Sequence, residues 1–125
     1  MTRQDDSQTL TGKHILIATG SVSTPLAGVE VDGDRIGTST TALAYPEVPK
    51  KLVVIGAGYI GLELGTVYAA LGTRVTVVEM LPGIAPFADK QMSGSLQRAL
   101  AAQGLDFQLQ SKVTEIKSLE SGVRV

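Results

Sequence analysis

Gly56, Gly58 and Gly61 stand in the run LVVIGAGYIGLELG, residues 52–65, with the spacing G-x-G-x-x-G. Glu79 closes the run RVTVVE about 20 residues further on. Those residue types at that spacing can hold a dinucleotide. Gly56 permits a sharp turn out of a strand, Gly58 leaves no Cβ between backbone and pyrophosphate, and Gly61 lets the following helix lie close to the sheet. The backbone amides of Tyr59 and Ile60 then point at the phosphates, where unsatisfied N–H groups and the positive end of the helix dipole both favour an anion. A carboxylate at Glu79 is placed for the adenosine ribose hydroxyls and repels a 2′-phosphate. No Arg or Lys directly follows it, so NAD is expected over NADP.

Each of these residues also has an ordinary reading. Glycines at this spacing form tight turns without any ligand, and the ordinary reading of Glu79 is a solvated acid at a strand end. Glu63 falls in the first part of the helix, where the dipole already favours a carboxylate. Tyr59 is either a core aromatic or a ring that covers a bound cofactor. Gly65, four residues after Gly61, extends the close approach of helix to sheet. The ligand reading gains from context, because the glycines sit between an apolar β-branched run and a helical pattern.

That context comes from periodicity. Leu52–Ile55 is a continuous apolar run of the kind that forms a central parallel strand covered on both faces. From Tyr59, apolar residues recur at Ile60, Leu64, Val67, Tyr68 and Leu71, the spacing of a helix face, and Gly72 stands where the helix would end. RVTVVE is a second strand. Asp89 caps a second helix with Met92, Leu96, Ala99 and Leu100 on one side, and Gly104 closes it. LDFQLQ alternates as a strand with one polar face, and VTEIKSLESGVRV reads as a hairpin around Ser121 and Gly122. Strand, helix, strand, helix, strand with short connections implies an α/β fold with a parallel sheet, the first half of a doubly wound domain.

Upstream the chain has a different character. YPEVPKK is a candidate linker with two prolines, and before it HILIATGS reads as a buried strand. Between them the turn-rich VSTPLAGVEVDGDRIGTSTTAL predicts only loops and short strands. His14, the single histidine, is placed at a strand start as a structural or exposed residue rather than a base.

The bulk composition excludes several classes. The 125 residues suffice for one domain with one core, with 43% hydrophobic and 18% charged residues and a formal net charge of −1. Lys and Arg are neither in excess nor bunched, which gives no reason to expect nucleic acid or an acidic membrane as partner. No Cys is present, so the chain offers no disulfide, thiolate metal site or redox dithiol. No run reaches the roughly 18 apolar residues of a spanning helix, and a cytoplasmic location is the default expectation.

Taken together, HILIATGS and VPKKLVVIGAGYIGLELGTVYAALGTRVTVVEMLPGIAPFADK resemble the pyridine nucleotide-disulfide oxidoreductases. GLELG and VTVVE are most similar to the NAD-dependent dihydrolipoamide dehydrogenase branch, rather than to the NADPH-dependent glutathione branch. The resemblance implies an incomplete three-layer Rossmann-like NAD-binding domain over residues 49–125, preceded over residues 1–48 by the end of an FAD-domain segment and a linker. It implies contact of Glu63 near the nicotinamide ring, of Tyr59 as the ring that shifts when NAD enters, and of Gly20 with the flavin nucleotide. The implied parent oxidises dihydrolipoyl groups with NAD through FAD and a redox disulfide, as a component of 2-oxo acid dehydrogenase complexes. The implied FAD fingerprint, redox C-x4-C, His-Glu pair and dimerisation domain are missing, so the chain is expected to be an internal piece with no catalytic residue and no metal site of its own. A stand-alone nucleotide-binding module is the competing expectation. Mercuric reductase, glutathione reductase and NADH oxidase relatives also remain open.

Overall fold

The computed structural model describes residues 9–24 and 26–125, and residues 1–8 of the expected flavin-side segment lie outside that range. In chain order the elements are α1 (Ser39–Ala42), β1 (Lys51–Ile55), α2 (Tyr59–Ala70), β2 (Arg74–Val78), α3 (Lys90–Ala102), β3 (Leu105–Gln108), β4 (Lys117–Leu119) and β5 (Gly122–Arg124). The architecture is α/β. β1, β2 and β3 form a parallel sheet in that spatial order, and β4–β5 is the expected antiparallel hairpin.

Register explains where the core sits. Leu52 pairs with Val75 and Val75 with Leu105, so Leu52, Val54, Val75, Val77, Leu105 and Phe107 share one face of the sheet. On that face Val75 and Val77 are fully buried, joined by Leu62 and Tyr68 from α2, Leu100 from α3, and Ala57 and Ile84 from the loops. The other face carries Val53 and Ile55, each 42% exposed. β1 was expected as a central strand covered on both faces. Among the described residues it is instead an edge strand with one face open, because β2 takes the central place.

The helices keep their boundaries but turn different faces inward. α2 buries Leu62, Gly65 and Tyr68, while Ile60, Val67 and Leu71 of the expected inner stripe are 46–58% exposed. α2 is apolar nearly all round, so side-chain pattern alone does not choose its face; the small residues Gly61 and Gly65 choose it by allowing close approach. On α3 Asp89 is the N-cap as expected, its carboxylate accepting from Gln91 N–H at 2.8 Å. Of the expected stripe only Leu100 is buried. Met92 is 65% exposed, Leu96 40%, and Ala99 is exposed too; Ser93 and Gln97 face partly inward, with Ser93 Oγ donating to the Ile84 carbonyl at 2.6 Å.

The upstream segment departs further from expectation. Ile15, Leu16 and Ile17 pair with no strand and are 78–90% exposed, so HILIATGS is not a buried strand here. A strand needs a neighbour to satisfy its amides and carbonyls, and none of the described residues offers one. The expectation of loops and short strands for residues 22–43 is corrected by α1, a single helical turn. Tyr68 Oη from α2 donates to the Ala42 carbonyl at 2.5 Å and anchors that turn. The YPEVPKK stretch runs irregularly to β1, and Thr73, the one buried polar residue among those described, donates its hydroxyl to the Pro49 carbonyl at 2.7 Å. Among the described residues no helix is long and apolar enough to cross a membrane.

Candidate functional site

The site begins where β1 runs out. Gly56 N–H donates to the Val78 carbonyl at 2.8 Å, carrying the chain over the end of β2, and Gly56 adopts φ +96°, a conformation that side chains oppose. The chain then enters α2 with Gly58 as N-cap, and no side chain caps it. The first bond of the helix runs from Leu62 N–H to the Gly58 carbonyl at 3.0 Å. The amides of Tyr59, Ile60 and Gly61 therefore belong to the turn that a helix leaves without internal acceptors.

Gly61 sits at the close crossing of helix and strand. A Cβ on Gly61 would lie 2.7 Å from the Gly56 carbonyl oxygen and 3.0 Å from Val54 Cγ1, so only glycine fits where α2 crosses β1. A Cβ on Gly58 would meet nothing within 4 Å, leaving clear space beside the uncapped helix start. Gly65 differs from expectation in degree. Its Cβ would come to 3.4 Å from Val75 Cγ1 and 3.5 Å from Leu105 Cδ2, which is ordinary contact.

Glu79 follows β2 directly and is half-buried against the glycine loop. Its Oε2 accepts from Ala57 N–H and its Oε1 from Leu81 N–H, both at 2.8 Å. The Glu79 backbone N–H donates to the Gln108 carbonyl, and its own carbonyl accepts from Ser111 N–H, each at 2.9 Å. Ala57 is fully buried, and its carbonyl accepts from Ala85 N–H at 2.8 Å, with Ala85 at φ +45°. The loops after β1, β2 and β3 are thus joined at one acid. Ala57, Leu81 and Ala85 take part through backbone groups, which no residue-type pattern reveals.

The remaining predicted residues are placed around this junction. Tyr59 is 68% exposed at the start of α2, which removes the core-aromatic reading. Ile60 lines an open cleft of ≈ 410 Å³ with Ser21, Val22, Ser23, Ser39 and Thr40. Gly20, at φ +77° and exposed, directly precedes that lining. Glu63 is exposed one turn further along α2, and no ion pair holds it among the described residues. His14 is exposed. No group of three His, Cys, Asp or Glu residues able to hold a metal occurs among the described residues.

Residues 1–125 match the protein family described as pyridine nucleotide-disulphide oxidoreductase. Dihydrolipoyl dehydrogenase 3 of Pseudomonas putida is 54% identical over 121 residues, covering 96% of this chain and 26% of the relative. The mitochondrial dihydrolipoyl dehydrogenase of Pisum sativum is 47% identical over 124 residues, covering 99% and 25%. Among solved structures, LpdA of Mycobacterium tuberculosis superposes with TM-score 0.75 at 28% identity, over 84% of this chain and 23% of that one. The HOCl-induced flavoprotein disulfide reductase RclA of Escherichia coli, as its Cu(II) complex, gives TM-score 0.73 at 31% identity, over 85% and 24%. The chain spans about a quarter of the length of the curated relatives it matches.

Proposed function

The chain belongs to the pyridine nucleotide-disulphide oxidoreductase family, and from that premise we propose that residues 49–125 are the NAD-binding portion of a dihydrolipoyl dehydrogenase-like flavoprotein. Residues 1–48 are then the end of its FAD-domain segment and the linker. In this reading the Tyr59 and Ile60 amides hold the pyrophosphate, Gly58 gives it room, and Glu79 accepts the adenosine ribose hydroxyls. Tyr59 and Glu63 face the nicotinamide end, and Gly20 approaches the flavin nucleotide. The parent oxidises dihydrolipoyl groups, taking its place in a 2-oxo acid dehydrogenase complex, and a cytoplasmic parent is the simplest reading.

The residues fit the group they are asked to hold. An uncapped helix start beside an empty Cβ direction at Gly58 suits an anion that brings its own oxygens to the amides. NAD, when bound, supplies a hydride acceptor. This chain's residues bind and orient it. The single observation that carries the reading is the half-buried carboxylate of Glu79 held against the glycine loop at Ala57 N–H. An acid at that place favours a free 2′-hydroxyl over a 2′-phosphate.

The test is a titration of the ¹⁵N-labelled chain with NAD and, separately, NADP, followed by amide chemical shifts. NAD is expected to bind in the millimolar range or tighter, ahead of NADP. Equal or tighter binding of NADP would overturn the ribose role of Glu79.

A further inference from the structure

We infer that Glu79 is also a positioning residue: its carboxylate assembles the glycine loop in the absence of any nucleotide. The inference rests on the nucleotide-site reading above and deepens it. Two amides from two different loops converge on the two carboxylate oxygens, Ala57 N–H on Oε2 and Leu81 N–H on Oε1. The Leu81 bond is local. The Ala57 bond spans 22 residues and links the turn after β1 to the turn after β2.

Two further observations make this carboxylate a builder of the loop rather than a strand-end acid that happens to touch it. Ala57 is fully buried with the carboxylate in place, so the carboxylate is what pairs an otherwise enclosed donor, and a buried donor left unpaired is costly. The Ala57 carbonyl is already committed to Ala85 N–H, which fixes the peptide from its other side. Charge-assisted bonds of this kind are stronger than those between neutral groups. Glu79 therefore sets where Gly56 and Gly58 lie on either side of Ala57.

The arrangement leaves ligand capacity in hand. A carboxylate offers about four lone-pair positions, of which the two amides use two, so both oxygens can still accept ribose hydroxyls. Replacing Glu79 thus removes two separable things. Loss of the loop anchor weakens any dinucleotide that uses the glycine amides, NADP included. Loss of the ribose ligand adds a penalty for NAD, whereas NADP is freed of the repulsion between Glu79 and its 2′-phosphate.

The experiment compares the full chain with its Glu79→Ala and Glu79→Gln variants, with Glu47→Gln at an exposed site as the charge control. Amide hydrogen exchange of Ala57 and Leu81 is read first without nucleotide. In Glu79→Ala both amides are expected to exchange about tenfold faster or more, the factor that corresponds to one lost bond to a charged group. Glu79→Gln keeps one acceptor oxygen and turns an NH₂ toward the other donor, so one of the two amides should retain protection while the other loses it. Glu47→Gln should change neither. Wild-type exchange at both amides in Glu79→Ala, with the chain still folded, would overturn the positioning role. Nucleotide titrations follow on the same samples. A loss for NADP as well as NAD in Glu79→Ala, with the repulsion of the 2′-phosphate lifted, supports the anchor. Failure of both nucleotides to bind the wild-type chain would overturn the nucleotide reading alone, because the exchange result does not depend on it.

Discussion

Ile15–Ile17 and Val53–Ile55 are the same kind of sequence, short, apolar and β-branched, yet they meet different fates. Val53–Ile55 pairs residue by residue with Thr76–Val78, and the intervening Val54 packs under α2. Ile15–Ile17 makes no strand pairing and remains 78–90% exposed. Apolar character drives burial only when a partner surface exists, and backbone groups enter a sheet only when a neighbour accepts them. Residues 49–125 carry their own partners in sequence order, strand after helix after strand. The upstream segment does not, and it holds to the rest through Ala42 and Tyr45 packed against the core and through polar contacts such as Tyr68 Oη to the Ala42 carbonyl and Arg35 Nη1 to the Leu119 and Glu120 carbonyls.

The largest expected contrast between the two regions comes from truncating one leucine in each. Leu105→Ala removes a side chain that is 3% exposed and should lower unfolding free energy by about 2–5 kcal/mol in chemical denaturation. Leu16→Ala, at 90% exposure, should change it by less than about 0.5 kcal/mol. A comparable loss from both would show that the upstream run packs somewhere in solution.

A second contrast sharpens the roles of two glycines within α2. Gly61→Ala forces a methyl to 2.7 Å from a carbonyl oxygen, and should destabilise by about 1–3 kcal/mol as overpacking does. Gly65→Ala places its methyl in ordinary contact at 3.4–3.5 Å, and the gain in helix propensity of about 1 kcal/mol should leave the chain equally stable or more so. Thermal melts of the two variants check the difference, and equal losses would break the assignment of Gly61 as the crossing point.

Tyr68→Phe tests what joins the regions. Losing the hydroxyl bond to the Ala42 carbonyl should cost about 1 kcal/mol and loosen α1, seen as faster amide exchange at Ala42 and Leu43, while the sheet amides keep their protection.

The smallest effect is expected from pH, at a turn of the upstream segment. Asp32 Oδ1 accepts from the amides of Ile36, Asp34 and Arg35, and these bonds, Ile36 first, hold its carboxyl below the usual carboxylate range. Because the folded carboxyl titrates below the unfolded one, the turn's contribution is present above the ordinary carboxylate pKa and is lost as pH falls through the folded value. Acid titration should therefore shift the Asp34, Arg35 and Ile36 amides together, as NMR can follow.

What could be read from sequence was the chemistry that acts locally. The turn at Gly56, the crossing at Gly61, the cap at Asp89, the end at Gly104 and the hairpin around Gly122 each depend on a few adjacent residues, and each stands where its residue type requires. The exposed faces of α2 and α3 were not legible, since α2 is apolar nearly all round and α3 turns Ser93 and Gln97 inward in place of Met92 and Leu96. The edge position of β1 and the isolation of Ile15–Ile17 depend on which strands are present as neighbours, a property of the whole chain. Of the candidate site, the glycines and Glu79 were legible by type and spacing. The joining of the loops after β1 and β2 at the Glu79 carboxylate was not, because its partners are backbone amides of Ala57 and Leu81.

The central claim is that the glycine loop and Glu79 form one dinucleotide site, and it is tested most directly by mapping amide shifts of the ¹⁵N-labelled chain during titration with NAD. The expected result is a set of saturable shifts centred on Gly56–Gly61 and on Glu79–Leu81, with residues 9–17 unmoved. Shifts that avoid the glycine loop, or centre on the upstream segment, would contradict it.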